Sequence, residues 1–297
     1  MKVKTALGIL LQVLGAMIGF LVSLGISNML LPMSKVIMDH APASGFLSVP
    51  VAFLLNGLVN AVLLVWAGRR STYIGLAMWG QLLVLSFGAQ VFMTQIETGY
   101  FLSAFPLLQN NFELHRLVLR GLITSALVTL LVTWLVGGFS KQVRPQAQFT
   151  VTNDDAVKAG SWLAVVYIVL YLLFGYYIAW QIAELRMFYN GSTELVSFFA
   201  QWGHTFMDRL EIPVFQYFRG ILWMLCLVPL FKGFSGKRIE LTILSALALG
   251  LLPTMQLAFA NPLMPSAVSL GHFWEVSIST GIFGALCAWF VPKAIQV

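Results

Sequence analysis

The stretch Ala183–Leu230, AELRMFYNGSTELVSFFAQWGHTFMDRLEIPVFQYFRGILWMLCLVPL, decides the reading of the fold. It runs from a polar connection through an amphipathic segment into an apolar run that carries Arg219. Apolar runs of about 20 residues recur on both sides of it, the length that crosses about 30 Å of hydrocarbon at 1.5 Å per residue. Hydrophobic residues make up 59% of the chain, charged residues 9%, and the mean hydropathy is +0.86. A water-soluble fold carries about 25% charged residues, so hydrocarbon must be the solvent for much of this chain. The expectation is an all-α, polytopic membrane helix bundle of about eight transmembrane helices, with an amphipathic helix on its outer face.

Working outward, the expected spans cover 6–30, 48–67, 73–95, 118–139, 161–182, 213–231, 241–260 and 267–291, the seventh interrupted by Pro253. Residues 1–142 hold the first four, 143–160 form a cytoplasmic linker, and 161–297 hold the last four with the amphipathic helix at 192–211. The two sets share a plan that reads as two four-helix halves. The second span of each ends in a basic pair (Arg69-Arg70, Lys237-Arg238). The fourth follows a histidine (His115, His272) and carries a tryptophan (Trp134, Trp289).

Charge sets the expected orientation. With both termini on one side, that side holds Lys2, Lys4, Arg69, Arg70, Lys141, Arg144, Lys158, Lys232, Lys237, Arg238 and Lys293. The other holds only Lys35, Arg116, Arg120, Arg186, Arg209 and Arg219. The excess of positive charge on the first side makes the termini cytoplasmic, in a membrane read as the bacterial cytoplasmic membrane. The net charge of +6 is therefore topogenic, and no basic-aromatic groove points to nucleic acid. Cys226 and Cys287 fall inside spans and read as small apolar core residues.

Chemistry gathers on the outer side. All four histidines fall there, each with an acidic neighbour: Asp39-His40, Glu113 with His115, His204 with Asp208, and His272 with Glu275. The last two pairs have i,i+4 and i,i+3 spacing and share a helix face. On a helical wheel Glu194, Ser197, Gln201, His204, Asp208 and Glu211 gather opposite Leu195, Phe199, Trp202, Phe206 and Leu210. An acidic polar face is unlike that of a helix bound to anionic headgroups, so this helix reads as a lid or brace. Arg219 lies about 20 Å of helix from Lys232, hence roughly 10 Å inside the outer boundary of the hydrocarbon. A lone charge there is costly, and Glu275 is at similar depth. The two are expected to pair.

No GxSxG, HExxH, Walker A, GxGxxG or CxxC motif occurs. Two histidines with carboxylates suit zinc or iron, but HxxE spacing is common by chance, and no metal or cofactor is expected. His204, His272 and Glu275 are the candidate catalytic groups. Arg120, Arg186, Arg219 and Asp208 are the candidate substrate-binding groups, arginine being suited to a planar anion in a partly dry place. The favoured function is binding or processing of an anionic amphipathic molecule, a lipid or lipid-linked, at the outer leaflet. A secondary transporter of a small solute and a structural subunit held by a partner membrane protein are the alternatives. A transporter predicts a polar route to the cytoplasmic side, and an outer-leaflet site predicts a dry, apolar inner half.

Overall fold

The computed structural model describes residues 2–40, 42, 45–109, 112–140 and 143–295, with the side chains of residues 2–4 left aside. The helices are α1 (Lys2–Leu30), α2 (Lys35–Asp39), α3 (Val49–Arg70), α4 (Gly75–Phe87), α5 (Met93–Tyr100), α6 (Glu113–Leu135) and α7 (Asn153–Tyr177). They continue with α8 (Ala183–Asn190), α9 (Phe198–Asp208), α10 (Glu211–Lys232), α11 (Arg238–Leu251) and α12 (Ser266–Phe290). Two short strands, β1 (Phe149–Thr150) and β2 (Lys293–Ala294), pair antiparallel. A π-helical turn, Gly88–Phe92, fuses α4 to α5.

Among the described residues seven helices are long and apolar enough to cross a membrane: α1, α3, α4 joined to α5, α6, α7, α10 and α12. Leu7, Leu10, Leu11, Ile18 and Val22 of α1 stand exposed on the outside of the bundle while Ser27, Asn56, Asn60 and Gln81 are buried inside it. That inversion suits hydrocarbon as the surrounding solvent, where backbone groups must be satisfied within helices. The chain is a multi-pass membrane protein.

The seventh expected span, 241–260, is shorter than a full crossing. The helix α11 stops at Leu251, because the Pro253 ring cannot donate the next hydrogen bond and clashes with the preceding turn. A 3-10 turn, Met255–Ala258, carries the chain onward. Thr254 Oγ1 donates to Gly250 O at 2.8 Å and Ser277 Oγ donates to Thr254 Oγ1 at 2.9 Å, so the break is hydrogen-bonded within the bundle. Small residues let α11 and α12 touch. A Cβ on Gly284 would stand 2.5 Å from Ser245 O, and Thr280 Oγ1 donates to Leu249 O at 2.6 Å. Gly19 and Ser27 of α1 face α6 in the same way. A Cβ on Gly19 would meet Leu131, and the hydroxyls of Ser27 and Thr124 bond at 2.8 Å.

The start of α1 and the strand β2 lie toward one face of the bundle, here the terminal face. The linker is tied down there. Gln148 N donates to Phe234 O at 2.9 Å, Arg238 lies 5.0 Å over the Phe149 ring, and Lys293 pairs with Asp155 at 2.5 Å. The helix α7 begins at Asn153 under a Thr152 cap, inside the expected linker. Glu240 accepts from Arg70 and Trp66 at 2.5 and 2.8 Å. Behind this face the half-bundle is filled by fully buried Leu64, Met78, Leu85, Leu163, Phe231, Leu244 and Phe283.

The opposite face carries the four histidines, and here two expectations change. The amphipathic helix spans Phe198–Asp208 rather than 192–211. Gly191, at φ +69°, ends α8, residues 192–197 are not helical, and Ser197 caps α9 by accepting from Ala200 N. The chain breaks again at Arg209 (φ −138°, ψ 46°), which places Glu211 in α10. Glu194 and Glu211 therefore leave the polar face, and Gln201, His204 and Asp208 keep it. The third span also runs past 95, through Glu97 to Tyr100.

Candidate functional site

A cavity of about 960 Å³ opens on the histidine face. Asn28 of α1, Asn56 of α3, Arg120 and Thr124 of α6, Tyr171 and Tyr176 of α7, and Tyr189 of α8 line it. So do Gln201, Trp202, His204 and Asp208 of α9, and His272 and Glu275 of α12. Phe20 and Trp223 belong both to this lining and to the apolar core that fills the terminal half. Asn60 and Gln81, further toward the terminal face, do not line it. They bond within the bundle, Asn60 Nδ2 to Asn56 and Gln81 to Ser71 and Pro229 O.

The π-helical turn shapes one wall. An extra residue in a turn re-aims the side chains that follow, and such turns cluster at functional sites. Here Gln90 O accepts from Gln256 Nε2 at 3.2 Å, and the same amide donates to Thr94 Oγ1 at 3.2 Å. The broken α11 segment is thus fastened to the π-helical segment beside the cavity. One further turn along α5, Glu97 meets Arg219. Nη1 donates to Oε1 at 2.7 Å and Nη2 to Oε2 at 2.8 Å, a fork-to-fork pair. Gln216 Oε1 accepts from Nη1 at 2.8 Å. The expected Arg219–Glu275 pair is not made, because the longer α5 brings a nearer carboxylate to the guanidinium.

Glu275 pairs instead on its own helix. His272 Nδ1 is 3.3 Å from Glu275 Oε2, and His272 Nε2 is 3.0 Å from Tyr189 Oη. Glu275 is 6% exposed and His272 23%. At the rim, His204 Nδ1 lies 2.8 Å from Asp208 Oδ2, with both side chains well exposed. The polar side of α9 and Trp202 thus face the cavity, while Phe199 and Met207 point away from the bundle. The hydroxyl of Tyr176 donates to Val196 O at 2.8 Å and holds the approach to α9 against α7.

The four expected binding residues separate. Arg120, Arg219 and Asp208 line the cavity, and Arg186 does not. Arg186 is buried and donates to Thr193 O (2.9 and 2.7 Å) and to Trp180 O (2.5 Å), bracing the turn after α8. Arg120 is the reverse case, making no hydrogen bond and no ion pair among the described residues. Glu113 itself pairs with Arg116 at 2.9 Å. Two buried donors on cavity-lining side chains, Trp202 Nε1 and Arg219 Nε, also lack an acceptor among the described residues. Buried donors left unpaired are rare in folded proteins. No group of three or more His, Cys, Asp or Glu among the described residues is placed to hold a metal ion.

Tyr189, Glu97 and Gln256 are the site residues that sequence reasoning missed. The signal for Glu97 was present in Thr94, Gln95, Glu97 and Thr98, whose polarity resembles a loop. Nothing local marks Tyr189, whose partner is 83 residues away.

Fold and cavity together define a multi-pass, all-α membrane protein with a cavity of mixed polar and apolar lining that enters from one face. No family model, curated protein or solved structure matches the chain.

Proposed function

We propose that the cavity binds an anionic amphipathic molecule, a lipid or a lipid-linked compound, on the outer leaflet of a bacterial cytoplasmic membrane, with both termini cytoplasmic. The observation that carries this is Arg120: a guanidinium on the cavity wall with no counter-ion at pairing distance among the described residues. A cation in a partly dry place is costly alone and favours an anionic ligand. Phe101, Phe105, Phe188 and Trp180 supply apolar wall for a chain or ring. The skew of Lys and Arg toward the terminal face supports the orientation. Asp208 and His204 form a polar rim, and His272 with Glu275 are placed to move a proton.

Transport is the second reading, supported by the helix broken at Pro253 and fastened to the π-helical segment, since discontinuous helices build transporter sites. The apolar packing of the terminal half weighs against it.

The test is native mass spectrometry of the protein extracted from bacterial membranes in mild detergent, with Arg120→Gln beside the wild type. The expected result is a retained anionic lipid on the wild type, lost in Arg120→Gln at unchanged melting temperature. A wild type without anionic lipid, or a variant that keeps it equally, would sink the reading.

A further inference from the structure

The wall where α8 meets α12 carries a hydrogen-bonded chain of three side chains that all line the cavity: Glu275, His272 and Tyr189. Glu275 and His272 sit one turn apart on α12, with Oε2 3.3 Å from Nδ1. A buried carboxylate at Nδ1 favours the tautomer with its proton there, leaving the Nε2 lone pair free. That lone pair faces Tyr189 Oη at 3.0 Å. Packing fixes the phenol in place. Its ring stands edge-on to the imidazole at 5.6 Å and 83°, and edge-on to Phe188 at 4.9 Å. Gly271 permits the approach, since a Cβ there would come within 2.7 Å of Ile182 beside α8. Hydroxyl, imidazole and orienting carboxylate stand in the order that activates a nucleophile.

We propose that Tyr189 Oη is a nucleophile of this cavity, with His272 as its general base and Glu275 as the positioning residue, acting on an ester of the bound amphipath. This rests on the cavity holding such a molecule. In the step, Oη forms a bond to the ester centre, a carbonyl carbon or a phosphorus. The phenolic proton passes to His272 Nε2, and Glu275 steadies the imidazolium. The bond from the ester centre to its alkoxide oxygen breaks, and the imidazolium returns the proton to that oxygen, which leaves as an alcohol. Water then attacks the tyrosyl ester. His272 takes the water proton and returns it to Oη as that bond breaks.

Burial, and after it the nearby Glu97 and Glu275 carboxylates, push the Tyr189 phenol up. The hydroxyl therefore keeps its proton until His272 removes it. The other titratable groups around the chain are Glu97 of α5, Arg219 of α10 and Tyr171 of α7.

The experiment uses the full chain in detergent, a tyrosine-directed aryl sulfonyl fluoride and peptide mass spectrometry. General-base assistance is worth 10²–10⁴-fold, so Tyr189 is expected to react at least about ten-fold faster than Tyr176. Tyr176 lines the same cavity but donates to a backbone carbonyl. In His272→Gln the Tyr189 rate should fall to the rate of Tyr176. Equal rates for the two tyrosines in the wild type, a comparison that needs no variant, overturn the proposal. So does a folded His272→Gln that labels as fast as the wild type. Acid-quenched wild type exposed to dioleoyl phosphatidylglycerol should carry an oleoyl mass on Tyr189 for attack at carbon, or a phosphate-containing mass for attack at phosphorus. Fast labelling with neither adduct overturns the ester step. The labelling comparison of Tyr189 with Tyr176 uses no lipid, so failure of the binding reading and failure of the nucleophile are separable.

Discussion

Arg219 and Glu97, 122 residues apart in the chain, meet as a two-pronged ion pair at 2.7 and 2.8 Å between α10 and the last turns of α5. The guanidinium is 3% exposed and the carboxylate 29%. Two charges taken out of water nearly cancel their own benefit, but removing one strands the other. Arg219→Met should therefore destabilise by about 3 kcal/mol, the low end of the range for a broken buried pair, because Glu97 keeps some solvent. Arg219→Met with Glu97→Leu should recover most of that loss. Thermal unfolding of the two single variants and the double in one detergent makes the cycle. Additive losses in the double variant would mean that the pair contributes no coupling.

That pair also shows how far the sequence could be read. The expected depth of Arg219 comes from counting turns back from Lys232, and the neighbouring helices bury the residue. Its partner did not follow, because a π-helical turn at Gly88–Phe92 and four polar residues after it look like the end of a span. The His272–Glu275 contact was legible, since a helix brings i and i+3 together without help from the fold. Tyr189 was not, because its contact with His272 joins two elements whose packing no local period encodes. The α9 wheel failed for a related reason. It assigned one helical face to residues that include a cap, Ser197, and the first residue of the next helix, Glu211. The membrane class itself was plain, because composition and run length depend on the solvent and not on which helix meets which.

The contact between α11 and α12 predicts a contrast between two glycines. At Gly284 an added Cβ would stand 2.5 Å from Ser245 O and 3.0 Å from Ser245 C, both backbone atoms. Gly284→Ala must push the helices apart, at a cost of about 1–3 kcal/mol. Gly80, inside α4, has nothing within 4 Å of the same position. Gly80→Ala should therefore gain about 0.5–1 kcal/mol, the usual difference in helix propensity. Melting temperatures moving in the same direction for both would contradict the close packing described for α11 and α12.

Tyr189 gives the pH dependence its sign. Burial raises its phenol above the ordinary value, with the Glu97 and Glu275 carboxylates acting the same way. Below about pH 10, the ordinary phenol value, folded and unfolded chains both hold this proton, and the stabilisation is fully present. Above it the unfolded chain releases the proton while the folded chain retains it, so each further pH unit favours unfolding by up to about 1.4 kcal/mol. The loss continues until the folded-state value is passed. Tyr189→Phe removes this linkage and keeps the ring contacts with Phe188 and His272. Its stability at neutral pH should be lower by the hydroxyl's bond to His272, about 1 kcal/mol. Between pH 9 and 11 it should then lose less stability than the wild type, and the two curves should converge. Parallel curves across that window, measured by thermal unfolding at matched ionic strength, would show that the Tyr189 phenol ionises in the folded protein as freely as in the unfolded chain.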